Sequence, residues 1–167
     1  VTTILSATKD RTHLNEWVER VGVESAEKIK TEASTLGNGM HLNLENYIFG
    51  KPLVGSFMAK ALANVIISKG LSKVDEIWGN EVSLFSTGLY AGTTDLVGVH
   101  EGKPAIMDFK NSIREKQKDW IEDYFLQLGA YSMAHDEMYG TDINRGVIMI
   151  ATRDAKYQEF IIDGDEF

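Results

Sequence analysis

The chain has 167 residues with 43% hydrophobic and 25% charged content and a net charge of −8, values of one folded domain with a substantial core rather than a disordered chain. It has no cysteine, which excludes disulfides, thiolate zinc sites and cysteine-held iron–sulfur clusters within it. No window approaches the ~20 continuous apolar residues of a membrane span and the start lacks a signal-peptide plan, so one cytoplasmic domain over residues 1–167, truncated at both ends, is expected. The acidic balance argues against a broadly basic phosphate-binding surface. A site that gathers carboxylates around cations is still compatible with it.

In chain order, Leu14, Trp17, Val18 and Val21 form an apolar stripe that predicts a helix over about Asp10–Ile29. Gly37-Asn38-Gly39 predicts a break, after which Met40, Leu44, Tyr47 and Ile48 resume helical spacing. Pro52 suits the first turn of a helix over Leu53–Ser68, closed by Gly70. Three β-rich runs follow, Val74–Phe85, Leu89–His100 and Pro104–Asn111, the last two joined by a hairpin signal at His100-Glu101-Gly102-Lys103. Trp120, Tyr124, Leu128, Tyr131 and His135 predict a helix over Lys118–Tyr139 with Gly140 at its end. Gly146–Ala151 and Tyr157–Ile162 read as two further strands. Helices, three strands, a helix and two strands predict an α/β domain with a mixed central sheet.

Within the third run, Asp108 and Lys110 are two apart and share a strand face. Hairpin pairing brings the strand carrying Asp95 alongside, so two carboxylates and an ammonium converge. Such a set suits a hard cation and an activated water. A solvated strand face is the plain alternative, weighed against by the apolar neighbours Ala105, Ile106, Met107 and Phe109.

Gly92-Thr93-Thr94-Asp95, then Met107-Asp108-Phe109-Lys110, then Gln127-Leu128-Gly129-Ala130-Tyr131 resemble, in order and separation, the motifs of PD-(D/E)XK nucleases. The branch most resembled is RecB-like, with its phage and mitochondrial genome-maintenance exonucleases. Thr3-Ile4-Leu5-Ser6 with Leu14 and Trp17 resembles that branch's opening segment, and Gly37 to His41 its G-x-x-x-H helix start. Thr94 stands where the nominal signature has proline. The resemblance implies a restriction-endonuclease-like mixed central β-sheet flanked by helices, and a Mg2+- or Mn2+-dependent deoxyribonuclease. It implies Asp95, Asp108 and Lys110 as catalytic residues. The implied metal ligands are Asp95, Asp108, the Phe109 carbonyl, His41 and Glu81. Glu45, one helical turn from His41, either orients it, holds a second metal or lies on a solvated face.

Gln127 and Tyr131 share a helix face, and Arg114 and Lys116 belong to the densest basic stretch, Lys110 to Lys118. These four are the expected contacts to DNA, against the plain alternatives of a core tyrosine and a solvated charge run. Exonuclease action on single strands or DNA ends is the expected function. A structure- or sequence-specific endonuclease and a catalytically silent DNA-binding module are the alternatives. No P-loop is present, so unwinding would need a partner such as a helicase, and a single-strand-binding protein is another possible partner.

Overall fold

The computed structural model describes residues 1–164 and Phe167. Four helices come first: α1 (Thr2–Thr8), α2 (Thr12–Val21), α3 (Val23–Ile48) and α4 (Phe57–Lys69). The strands β1 (Val74–Ser86), β2 (Tyr90–His100) and β3 (Lys103–Ser112) follow, then α5 (Glu122–Tyr139), β4 (Arg145–Thr152) and β5 (Tyr157–Asp163). The five strands form one sheet in sequence order. Only β3 and β4 run parallel, and α5 is the crossover that a parallel pair requires. The mixed sheet flanked by helices is the restriction-endonuclease-like α/β architecture expected from the sequence.

Alternation along the strands splits the core into two layers. Leu96, Met107, Phe109, Val147 and Met149 pack against Met40 and Leu44 of α3 and Leu62 and Ile66 of α4. Val97, Ile106, Ile148 and Ile150 face the other way, onto Leu128, Tyr131 and Ala134 of α5.

The strand boundaries agree closely with the sequence pattern, and the helices depart from it. α1 is an additional helix before the first expected one, and the helix expected from Lys118 begins at Glu122 after a 3-10 turn. Three further differences have local causes. The expected helix over Asp10–Ile29 is divided at Gly22, whose φ of 86° ends α2 and opens α3. The expected break at Gly37-Asn38-Gly39 does not occur, because α3 runs straight through it. Both glycines sit at close approaches instead. A Cβ on Gly39 would stand 2.9 Å from the Ala59 Cβ of α4, and one on Gly37 would stand 3.2 Å from Asn111 Oδ1. Tertiary packing here outweighs the helix-breaking tendency of glycine, about 1 kcal/mol per residue. Finally, Pro52 lies before the helix rather than in its first turn. Ser56 is the N-cap, its hydroxyl accepting from the Ala59 N–H at 3.2 Å, so α4 starts at Phe57.

The β2–β3 turn is the two-residue loop Glu101-Gly102, with φ of 46° and 79°, values suited to a tight hairpin. At the far edge, Arg145 forks onto Asp163 through Nε and Nη2 at 2.6 and 2.7 Å. The guanidinium holds the Asp163 carboxyl down at about 2, against an ordinary 3.8. A carboxyl depressed in the folded state contributes stability above its unfolded pKa and loses it as pH falls toward the folded one. Asp163→Asn should therefore cost about 1 kcal/mol above pH ~5, discounted for the exposure of the aspartate. In urea titrations across pH, this difference should vanish between about pH 4 and 2. A pH-independent difference would place the stabilisation elsewhere.

Candidate active site

The paired register of β2 with β3 runs from His100↔Lys103 to Leu96↔Met107 and stops there. Beyond it, β2 continues paired with β1 and β3 with β4. Asp95 and Asp108 are the first residues past the fork. Asp95 fills the gap: its Oδ2 accepts the Phe109 N–H at 2.7 Å. In an extended strand, the carbonyl of a residue points to the same edge as its N–H, so the Phe109 carbonyl also faces the fork.

His41 reaches this opening from α3, with Nδ1 3.5 Å from Asp95 Oδ1 and 3.9 Å from Glu81 Oε1. One donor atom each from His41, Glu81 and Asp95 lies within 4.8 Å of the others. Glu81 holds a φ of 51°, a left-handed conformation uncommon outside glycine and often found at functional sites. Asn80 beside it donates to the Asp95 backbone carbonyl at 2.8 Å.

Asp108 lies outside that trio and is 4% exposed. Lys110 Nζ stands 2.6 Å from Asp108 Oδ2. The contact is a short ion pair that holds the ammonium against this buried oxygen. The same ammonium lies 5.1 Å from the Tyr124 ring centroid. Tyr124 lies in the core stripe of α5, as its spacing predicts, and packs against the cluster with Leu128 and Tyr131. Its contact with Lys110 is the part that the spacing did not reveal.

Three carboxylates and one ammonium share a poorly hydrated space, and their proton affinities show it. Burial, with the Asp108 charge second, pushes the Asp95 carboxyl well up. Burial and then the Glu45 and Asp108 charges also raise Glu81. His41 is held below its ordinary value, mainly by burial. Burial pulls on the Lys110 ammonium too, yet Asp108 and Asp95 outweigh it and leave its pKa raised. Among the described residues, Glu45 makes no bond to His41 and is felt only as a charge on Glu81.

The donors fit a divalent cation. Two ligands about 2.0–2.2 Å from one ion stand about 3–3.5 Å apart, which the His41–Asp95 separation of 3.5 Å meets. Carboxylate oxygens with one imidazole suit Mg2+ or Mn2+, and an added positive charge relieves the excess negative charge.

Lys110 and Tyr124 also form part of the wall of a groove of about 920 Å3 between the first two helices and the start of α5. Arg11, Lys30 and Lys116 supply positive charge to it, Lys9 is paired with Asp123 at 2.7 Å, Asp10 adds a negative charge, and Trp17 and Trp120 supply aromatic faces. Of the residues expected to meet DNA, Gln127 and Lys116 line this groove. Arg114 is exposed but outside it. Tyr131 takes up the plain alternative, a core tyrosine. It is 3% exposed, and a Cβ on Gly92 would stand 2.7 Å from its hydroxyl, so the ring fills the core beneath β2.

No family model matches the chain. It is 37% identical over 70 residues to human mitochondrial genome maintenance exonuclease 1, a match covering 39% of this chain and 20% of that protein. The matched part is thus about a fifth of the relative's length. A solved structure from Eubacterium rectale whose name carries the word exonuclease is 16% identical, with a TM-score of 0.48, covering 95% of this chain and 60% of that one. The structure of SSO0001 is 15% identical with a TM-score of 0.41, covering 89% and 59%.

The raised Asp95 carboxyl gives a test of the charge argument. A carboxyl raised on folding contributes stability below its unfolded pKa, ordinarily 3.8, and loses it as pH rises through the folded value. Ionised at neutral pH without a cation, it is a net cost. Asp95→Asn should raise the melting temperature in EDTA at pH 7.5, by about 2–4 °C for each kcal/mol relieved. It should also remove the stabilisation that wild type gains from Mn2+. A lowered melting temperature in EDTA would show that ionised Asp95 stabilises the empty site.

Proposed function

We propose that the chain is a divalent-metal-dependent deoxyribonuclease domain that hydrolyses phosphodiester bonds, acting as an exonuclease on single strands or DNA ends. The observation that carries this reading is the fork itself: Asp95, Asp108 and Lys110 meet His41 and Glu81 where a basic, aromatic groove opens. The exonuclease name of the partial human relative points the same way.

Asp95, Asp108, Glu81, His41 and the Phe109 carbonyl would hold Mg2+ or Mn2+. The ion supplies Lewis acidity toward a phosphoryl oxygen and lowers the pKa of water. The protein groups do the rest. Lys110, kept protonated by its carboxylate neighbours, positions the attacking water and offsets charge growing on the phosphate. Tyr124 walls the ammonium on its other side and limits where it can point. Asp108 orients Lys110 through their ionic contact.

The groove provides the track for the strand. Phosphates meet Arg11, Lys30 and Lys116, while bases stack on Trp17 and Trp120, a combination suited to unpaired nucleic acid. The overall charge of −8 is no obstacle when cations are concentrated along one channel. Partners such as a helicase or a single-strand-binding protein would deliver such strands.

End-labelled single- and double-stranded DNA with Mg2+ or Mn2+ tests the reading, and a circular single strand should survive if the action is exonucleolytic. Lys110→Ala should lower cleavage by about 10²–10⁴-fold while the melting-temperature rise with Mn2+ persists. Asp108→Asn should lose both activity and much of that rise. Near wild-type turnover in Lys110→Ala would remove the lysine from the chemistry.

Trp17→Ala with Trp120→Ala should weaken single-strand affinity by about 1–3 kcal/mol per lost stack. Lys30→Ala with Lys116→Ala should flatten the salt dependence by about 0.7 per lost phosphate contact. Unchanged affinity and slope in both pairs would place the strand elsewhere on the domain.

A further inference from the structure

A second cluster lies at the opposite end of the β2–β3 hairpin. His100 is five residues along β2 from Asp95, about 17 Å in an extended strand. Its side chain is fully buried at 0% exposure, yet neither ring nitrogen has a hydrogen-bond partner. Leaving a buried imidazole unsatisfied on both sides is costly, at about 1–3 kcal/mol for each polar group.

What faces the ring is a pair of carboxylates. Nε2 stands 3.6 Å from Glu159 Oε2, and Nδ1 stands 3.9 Å from Glu101 Oε2. Both separations exceed a hydrogen bond, and because one ion meets only one ring nitrogen, Nε2 with Glu159 Oε2 at 3.6 Å is the pair whose spacing approaches the about 3.4 Å between two donors of a tetrahedral ion. One donor atom from each of the three residues lies within 4.8 Å of the others.

The surroundings hold the donors in place. Lys73 Nζ contacts Glu159 Oε1 at 2.6 Å, and the Tyr157 hydroxyl donates to Oε2 at 2.6 Å. Arg145 Nη1 donates to the His100 carbonyl at 3.1 Å. Such outer contacts orient metal ligands in known sites. Glu101 is half exposed on the hairpin turn, which leaves it free to swing onto an ion bound at one ring nitrogen.

We propose that His100, Glu101 and Glu159 form a second divalent-cation site, of the zinc type, that staples the β2–β3 turn to β5. Imidazole nitrogen and carboxylate oxygen are both donors that zinc accepts, and water completes the tetrahedron. The site is structural and independent of the nuclease reading. Lys73 limits its affinity by competing for Glu159, so binding is expected to be weaker than at sites of several histidines.

The test is zinc binding to the full metal-stripped chain, measured by calorimetry and by the 15N shifts of the histidine rings. Wild type should bind an equivalent of Zn2+ that Asp95→Asn retains and that moves the His100 ring signals. Glu101→Gln, on the exposed turn, should weaken that equivalent about tenfold or more with Mg2+-supported cleavage unchanged. His100→Gln should abolish it. Should His100→Gln fail to fold, Glu101→Gln decides the matter alone. Equal Zn2+ binding in Glu101→Gln and wild type, or a His100 ring unmoved by Zn2+, would overturn the proposal.

Discussion

The parting of β2 from β3 is the constraint on which the rest of the site depends. A continuous ladder would pair residues 95 and 108 and commit the Phe109 N–H to a backbone acceptor. Because pairing ends at Leu96↔Met107, that N–H is satisfied by the Asp95 carboxylate instead. One hydrogen bond thus closes a backbone requirement and fixes an acidic group deep in the fold. The opening it spans is also where His41 enters from the α3 layer and where Lys110 leaves toward the α5 layer.

That arrangement carries an electrostatic cost, and the cost is informative. Asp95, Asp108 and Glu81 crowd a space with one ammonium, and proton affinities rise at Asp95 and Glu81. A sequence selected for stability alone would have few reasons to gather these groups under cover. Their compatibility with a divalent cation fits both the burial of Asp95 and Asp108 and the left-handed Glu81. Gly92 and Tyr131 contribute by packing rather than chemistry. The absent side chain on β2 admits the tyrosine ring beneath the strand that presents Asp95.

The groove makes an acidic chain compatible with the proposed polyanionic substrate. Cations drawn from the N-terminal helices, from α3 and from the segment after β3 meet along one channel, although they are far apart in sequence. Acidic residues dominate elsewhere, which disfavours loose binding of nucleic acid over the whole surface. Under the proposed function, selectivity for strands that reach the fork would follow from this charge placement.

Much of this was legible in the sequence. Apolar and alternating runs bounded by turn residues located the five strands within a few residues; β4, buried on both faces, reads as a continuous apolar run, because each of its sides must serve one of the two layers. Two-residue spacing put Asp108 and Lys110 on one face, and the hairpin signal brought Asp95 beside them. The helices were less legible: Gly37 and Gly39 read as a break because their true cause, the proximity of Asn111 and Ala59, is invisible along the chain. The roles of Tyr131 and Tyr124 likewise depended on which ring the fold buries and which it sets against Lys110. The sequence by itself determined the strand pattern and the acidic and basic groups of the site, since these follow from local periodicity and residue chemistry. Only the tertiary structure decided that Glu81 joins His41 and Asp95, that Trp17 and Trp120 face one groove, and that His100 is buried between two carboxylates. Those relations come from strand divergence and layer packing, which bring distant segments together.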